Sequence, residues 1–200
     1  MPYQKLLVAA HSVSGMNKEI GRCFGTGDTL YERYHDEEWG VPLHGEAELL
    51  ERIVLEGFQV GLSWRTVLHK REAFREVFAG FDPEKVAAFG EEDVQRLLDD
   101  KRIIRNRQKI EAAIANARAT QALHEEGRTL DALIWSFKPK ERRERAVRLE
   151  EIEPAPEAEE LAKALKASGF KFVGPVTAYA MMQAVGMVDD HLVGCPKAKP

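Results

Sequence analysis

An all-α fold is what this 200-residue sequence predicts. Apolar residues recur at helical spacing through most of the chain, and no stretch shows sustained two-residue alternation bounded by turn signals. Capping side chains, prolines and glycines stand where such helices need to start and stop. Tyr31, Tyr34 and His35 share one helical face, with Trp39 one turn beyond. Leu49, Leu50, Ile53, Val54 and Gly57 follow the spacing of a buried stripe. Val67, Leu68, Phe74, Val77 and Phe78 predict one helix over 64–78, capped by Ser63. Asp82-Pro83 opens a short helix that ends near Gly90, and 93–99 forms another. A long alanine-rich helix runs over 105–126, stopped by Gly127. A short aromatic helix (130–137) precedes a charged, proline-containing connection (138–156). Two final helices, 157–168 and 176–185, are bounded by Gly169, Pro175 and Gly186.

The length suits a single globular domain. Residues 1–21 read as a leader or poorly ordered extension, and 22–200 as the domain. Apolar content of 44% with 31% charged residues is ordinary for a soluble protein. No apolar run approaches a membrane span, and no secretory signal is evident. The reading is therefore of a cytoplasmic monomer with no membrane association and no implied protein partner. The net charge of −4 creates no global field toward nucleic acid, so DNA binding would need segregated cations. Two basic segments, 101–109 and Arg65 with Lys70-Arg71, could supply them; solvated helix faces are the plainer reading.

Cys23 and Cys195, the only cysteines, each have a histidine at metal-compatible spacing, His35 and His191. Two thiolates and two imidazoles suit one closed, structural zinc ion that staples the two ends of the domain together. Buried unligated thiols, or a disulfide, remain alternatives on spacing alone. Between the last two helices lies Gly169-Phe170-Lys171-Phe172-Val173-Gly174-Pro175. Phe172 and Val173 are expected to pin this turn to the core. The free amides beyond Gly174 can then hold a phosphate beside Lys171, the geometry of a helix-hairpin-helix element gripping a DNA strand.

Glu56 falls on the face of its helix that should be buried. An unpaired buried carboxylate is costly, and the glycine-containing turn Gly57-Phe58-Gln59-Val60-Gly61-Leu62-Ser63-Trp64 follows it. Together they suggest a pocket; a helix-end acid that bends to solvent is the alternative. Tyr34, Trp39 and Trp64 add electron-rich rings, and rings beside an anion favour a flat cation. An ordinary aromatic core is the competing reading.

Six segments, in order, resemble the 3-methyladenine DNA glycosylase I family. They are Tyr-His-Asp-Glu-Glu-Trp-Gly-Val-Pro (34–42), Leu-Glu-Gly-Phe-Gln-Val-Gly-Leu-Ser-Trp (55–64), Phe-Asp-Pro-Glu-Lys-Val-Ala (81–87), Trp-Ser-Phe (135–137), Gly-Phe-Lys-Phe-Val-Gly (169–174) and Val-Asp-Asp-His-Leu-Val-Gly-Cys (188–195). The resemblance covers about Cys23 to Cys195. It implies the helix-hairpin-helix glycosylase fold with a zinc staple on Cys23, His35, His191 and Cys195. It further implies that Glu56 and Tyr34 hydrogen-bond the methylated base, that Trp64 stacks on it and that Trp39 completes the pocket. Leu62 matches a residue that enters the DNA stack, and Lys171, Phe172, Val173 and Gly174 match the DNA-gripping turn.

The implied activity is hydrolytic excision of 3-methyladenine from alkylated double-stranded DNA, leaving an abasic site. The base must be flipped out to be reached. Because it is cationic, Glu56 acts by selecting and holding it rather than as a strong base. Phe24 stands where the family often has tryptophan, and Asp189 where an asparagine is familiar, so one pocket wall and the role of Asp189 are open. The rival readings are a non-catalytic, zinc-stapled helical DNA-binding module, which needs no base-sized pocket, and a zinc hydrolase, which needs an open metal position.

Overall fold

The computed structural model describes residues 21–141 and 143–198; the leader expected over 1–21 lies, apart from Gly21, outside the described residues. Among these, ten α-helices are found. They are α1 (Thr29–Glu37), α2 (Glu46–Gln59), α3 (Trp64–Leu68), α4 (Arg71–Val77), α5 (Pro83–Ala87), α6 (Glu91–Asp99), α7 (Arg107–Glu125), α8 (Leu130–Trp135), α9 (Glu157–Ala167) and α10 (Pro175–Ala184). None of the described helices is long and apolar enough to cross a membrane.

Helix α2 is the axis of the fold, with α7, α8 and α10 packed around it. Its sequence predicts one buried stripe, yet every residue from Leu49 to Gln59 is buried. A helix enclosed on all sides must find partners for its polar groups. Glu46 accepts hydrogen bonds from the backbone amides of Leu130 and Asp131, both 2.9 Å, and so caps α8. Glu51 accepts from Arg75 Nε and Nη2 at 2.8 and 2.9 Å. Arg52 donates to Glu38 at 2.8 Å. Lys109 of α7 donates to the carbonyls of Phe58 and Val60 at 2.8 and 2.6 Å, satisfying the end of α2.

The helix expected over 64–78 is broken into α3 and α4 at His69-Lys70. Two side-chain contacts hold the break. His69 Nε2 meets Asp28 at 2.7 Å, and Lys70 Nζ donates to the Arg102 carbonyl at 2.9 Å. Asp28 also caps α1 through the amides of Leu30 and Tyr31, so one carboxylate fastens the start of α1 to α3. The two basic segments are largely consumed inside the fold. Arg102 pairs with Asp100 and Glu76, Arg107 with Glu91 and Glu111, Arg71 with Glu38, and Arg65 with Asp28. They do not form the free cationic face that their spacing allows.

The turn between α9 and α10 begins with paired backbone bonds from Gly169 to the Lys166 carbonyl and from Phe170 to that of Leu165, both 3.0 Å. Gly169 has φ +92°, the left-handed geometry this helix ending requires. Phe170 and Val173 are buried, whereas Phe172 is exposed. The expectation that Phe172 anchors the turn is therefore corrected: Phe170 does so. Phe172 carries φ +55°, uncommon for a bulky residue. Asn116 of α7 stabilises this tip by accepting from Lys171 N at 2.7 Å and donating to its carbonyl at 3.3 Å.

The 40–43 segment docks on the end of α10. Gly40 N donates to Gln183 O at 3.0 Å and Leu43 N to Val185 O at 3.1 Å. Gly186, at φ +69°, allows the approach, because a Cβ there would lie 2.4–2.7 Å from backbone atoms of Val41 and Pro42. Gly186→Ala combines this clash with positive-φ strain. It is expected to destabilise the protein by more than about 1 kcal/mol, as measured by urea unfolding.

Candidate functional site

Helices α1, α2, α3 and α10 converge on a small recess that opens to solvent. Tyr34 and Tyr31 enter from α1, Glu56 and Gln59 from α2, Trp64 from the start of α3, and Tyr179 and Gln183 from α10. Phe24 and Trp39 complete the aromatic wall, their rings edge to face at 4.9 Å. Tyr34 and Trp64 lie 5.3 Å apart at 48°. The structure thus brings Glu56, Tyr34, Trp39 and Trp64 together. Phe24 keeps an aromatic surface where tryptophan is familiar. The contributions of α10 and Gln59 escape the sequence reading; the one available signal is Gln183, a lone amide in the apolar run 176–185.

Glu56 is 5% exposed, and no hydrogen bond from a described residue contributes to its titration. Burial pushes its carboxyl up to about 8, opposed only by the charge of Arg52 one turn earlier. That guanidinium sits 6.0 Å from the centre of the Tyr34 ring and is held by Glu38. Glu38 is also gripped by Arg71 through two bonds. Burial raises Glu38, but these hydrogen bonds outweigh it and bring the carboxyl to about 2. Two groups on the recess wall, Trp64 Nε1 and Gln183 Oε1, are buried without a hydrogen-bond partner. The wall therefore offers a flat planar guest aromatic faces, a poised carboxyl, one free donor and one free acceptor.

Cys23, His35 and Cys195 form a group able to hold a metal ion, with ligand atoms within 4.8 Å of one another. His191 stands beside them, its ring 5.0 Å from that of His35. Its Nδ1 meets Asp189 at 2.7 Å, and its Nε2 is buried without a partner. His35 is oriented alike, Nδ1 toward Asp36 at 2.8 Å. Such carboxylate bonds fix an imidazole to present Nε2 to a metal. Burial pushes the Cys23 thiol up to about 12 when no cation is near. Asp189 reaches His191 and, through its other oxygen, Arg145 at 2.6 Å; it is not among the residues that line the recess. Trp39 links the two sites, since its ring lies 4.6 Å from that of His191.

The loop after α2 carries Leu62, 38% exposed beside Gly61 at φ +82°. On the same flank, a Cβ at Gly57 would meet Phe172 Cβ at 3.3 Å, so the α9–α10 turn abuts the residue next to Glu56.

A family model described as methyladenine glycosylase matches residues 24–198. The chain belongs to the methyladenine glycosylase family. It is 51% identical over 178 residues to DNA-3-methyladenine glycosylase 1 of Escherichia coli K12, covering 86% of this chain and 95% of the relative. It is 43% identical over 183 residues to DNA-3-methyladenine glycosylase of Haemophilus influenzae, covering 88% and 96%. A solved variant of 3-methyladenine DNA glycosylase I in complex with 3-methyladenine matches with a TM-score of 0.83 at 34% identity, covering 90% of this chain and 98% of that one. The all-helical fold expected from sequence is the fold of these family members.

The ionisation of Glu56 has a measurable consequence for stability. Unfolded, the carboxyl titrates near its ordinary 4.5; folded, near 8. Between these values the folded protein retains a proton that the unfolded chain has released, so rising pH lowers stability. Glu56→Gln removes this dependence. Its advantage over the parent is expected to be small below pH 4.5 and to grow toward pH 8, by at most about 1.4 kcal/mol per pH unit. Urea unfolding at pH 5 and pH 8 measures it.

Proposed function

We propose that this protein excises 3-methyladenine from alkylated double-stranded DNA by hydrolysis of the N-glycosidic bond. The observation that carries the reading is the recess itself: a buried carboxyl, with no hydrogen bond from a described residue contributing to its titration, lines an aromatic box in a chain of this family. A non-catalytic DNA-binding module needs no such recess. The alkylated nucleotide is flipped out of the duplex, and its base stacks on Trp64 beside Tyr34 and Trp39. Glu56, neutral when buried alone, ionises as the cationic base arrives, because an adjacent positive charge lowers a carboxyl pKa. Neutral adenine offers no such compensation, so desolvation selects the damaged base. A cationic purine is already a good leaving group. Binding it tightly as it departs favours the transition state, water completes the hydrolysis, and an abasic site remains.

Exposed Leu62 is suited to fill the space vacated in the duplex. The α9–α10 turn, with Lys171, Phe172, Val173 and Gly174, serves as the helix-hairpin-helix grip on the strand, offering the free amides of α10 to a phosphate. Cys23, His35, Cys195 and His191 suit one zinc ion, because two thiols and two oriented imidazoles make a closed donor set. The ion would supply structure and no step of the reaction. We read 22–200 as one monomeric domain acting in the cytoplasm, where its DNA lies.

The reading is tested by release of free 3-methyladenine from methylated DNA. Because kcat/KM reports the free enzyme, it is expected to rise with pH through neutrality and level off above about 8, where Glu56 is ionised. Glu56→Gln should be slower by tenfold or more and lack this limb. No release of 3-methyladenine, or an unchanged profile in the variant, overturns it. Cys23→Ser is expected to lose bound metal and melting temperature together, because a closed site contributes folding free energy. Metal analysis and thermal melting on the same sample check this.

A further inference from the structure

We propose that Gln183 is a specificity-determining residue of the recess, whose side-chain carbonyl accepts a hydrogen bond from the exocyclic amine of a 6-aminopurine and rejects 6-oxopurines. The inference rests on the reading of the recess as a base pocket and names the atom that chooses among bases of similar shape. Gln183 is 1% exposed and lines the recess from α10. Its Oε1 is buried with no partner, while its Nε2 donates to Asp190 Oδ2 at 2.8 Å.

Which end of an amide faces which way is ordinarily ambiguous. Here the neighbouring bonds decide it. Arg143 Nη1 lies 2.7 Å from the Tyr179 hydroxyl, and a guanidinium can only donate. The Tyr179 oxygen is therefore the acceptor of that bond, and its own proton goes to Asp190 Oδ2, a carboxylate oxygen that accepts it. That oxygen accepts from Tyr179, so the group that Gln183 presents to it must be the NH2. The carbonyl then faces away from Asp190, where no donor among the described residues answers it. Arg143 donates to Tyr179 and Tyr179 to Asp190, which also accepts from Gln183; the side-chain carbonyl of Gln183, a residue of the recess wall, is left as an acceptor with its direction set.

A buried acceptor left unpaired is unfavourable, so a guest that brings a donor is preferred. A 6-amino group is such a donor. A 6-oxo group turns a second lone pair toward Oε1, and a site built to pair one hydrogen-bonding group discriminates strongly against the analogue lacking it. Glu56 answers the charge of the base; Gln183 answers its amine.

The test titrates free 3-methyladenine and its 6-oxo counterpart 3-methylhypoxanthine into the wild-type protein and Gln183→Met, a substitution of similar length without the acceptor. Affinity for 3-methyladenine is expected to fall about tenfold, with that for 3-methylhypoxanthine unchanged or raised, so the preference contracts tenfold or more. In the wild-type protein, the Gln183 side-chain carbonyl carbon is followed by NMR. It is expected to shift on saturation with 3-methyladenine, which decides the matter even where the variant does not fold. An undiminished preference in Gln183→Met, or a carbonyl carbon unmoved in saturated wild type, overturns the role of Gln183 alone. Wild-type protein that binds neither base overturns the base-pocket reading and this selectivity with it.

Discussion

Removing a carboxylate from water is costly, and the core of this protein is organised around one such removal. Helix α2 passes through the centre of the fold, and three of its charged side chains are answered by groups from other parts of the chain. Glu46 caps α8, Glu51 takes Arg75, and Arg52 takes Glu38. Glu56 stands apart, with burial raising its carboxyl and only the field of Arg52 opposing that rise. The surrounding ion pairs give Arg52 a fixed position, so the opposing field is fixed as well. A group kept near the balance between neutral and charged responds strongly to a cation placed beside it, which is the chemical property that an alkylated purine presents.

The walls of the recess come from distant parts of the chain. Phe24, Tyr31, Tyr34 and Trp39 are supplied near one end, and Tyr179 and Gln183 near the other. What joins the two regions is the cluster of Cys23, His35 and Cys195, with His191 beside it. Trp39 packs against His191 and against Phe24, so it belongs to both the cluster and the wall. The docking of 40–43 onto the end of α10, permitted by the absent side chain at Gly186, reinforces the same closure. Stability and site geometry therefore share one set of contacts.

The α9–α10 turn is held on two sides. Asn116 grips the backbone of Lys171 from α7, and Phe172 presses toward Gly57 of α2. The turn proposed to grip a DNA strand is thereby fixed against the helix that carries Glu56. A glycine at position 57 matters here because a larger side chain would separate the two elements.

Periodicity and punctuation in the sequence determined the class of fold and most helix positions, because amphipathic spacing and caps are local properties. The anomaly of Glu56 was also legible, since a carboxylate on an apolar stripe conflicts with the pattern around it. The likeness of the ordered motifs to a known family supplied the roles proposed for Tyr34, Trp39 and Trp64, which the structure brings to one recess. Only the tertiary structure decided the rest. The break at His69-Lys70 depends on Asp28 and on the Arg102 carbonyl, both distant in sequence. The basic segments looked available until their carboxylate partners were in place. Phe172 and Phe170 are indistinguishable by composition, and backbone conformation alone sends one outward and the other into the core. Gln183 acquires its direction from Asp190, Tyr179 and Arg143. The physical reason is common to these cases: a charge or an amide is defined by what faces it, and facing partners are set by packing between elements that one-dimensional spacing does not relate.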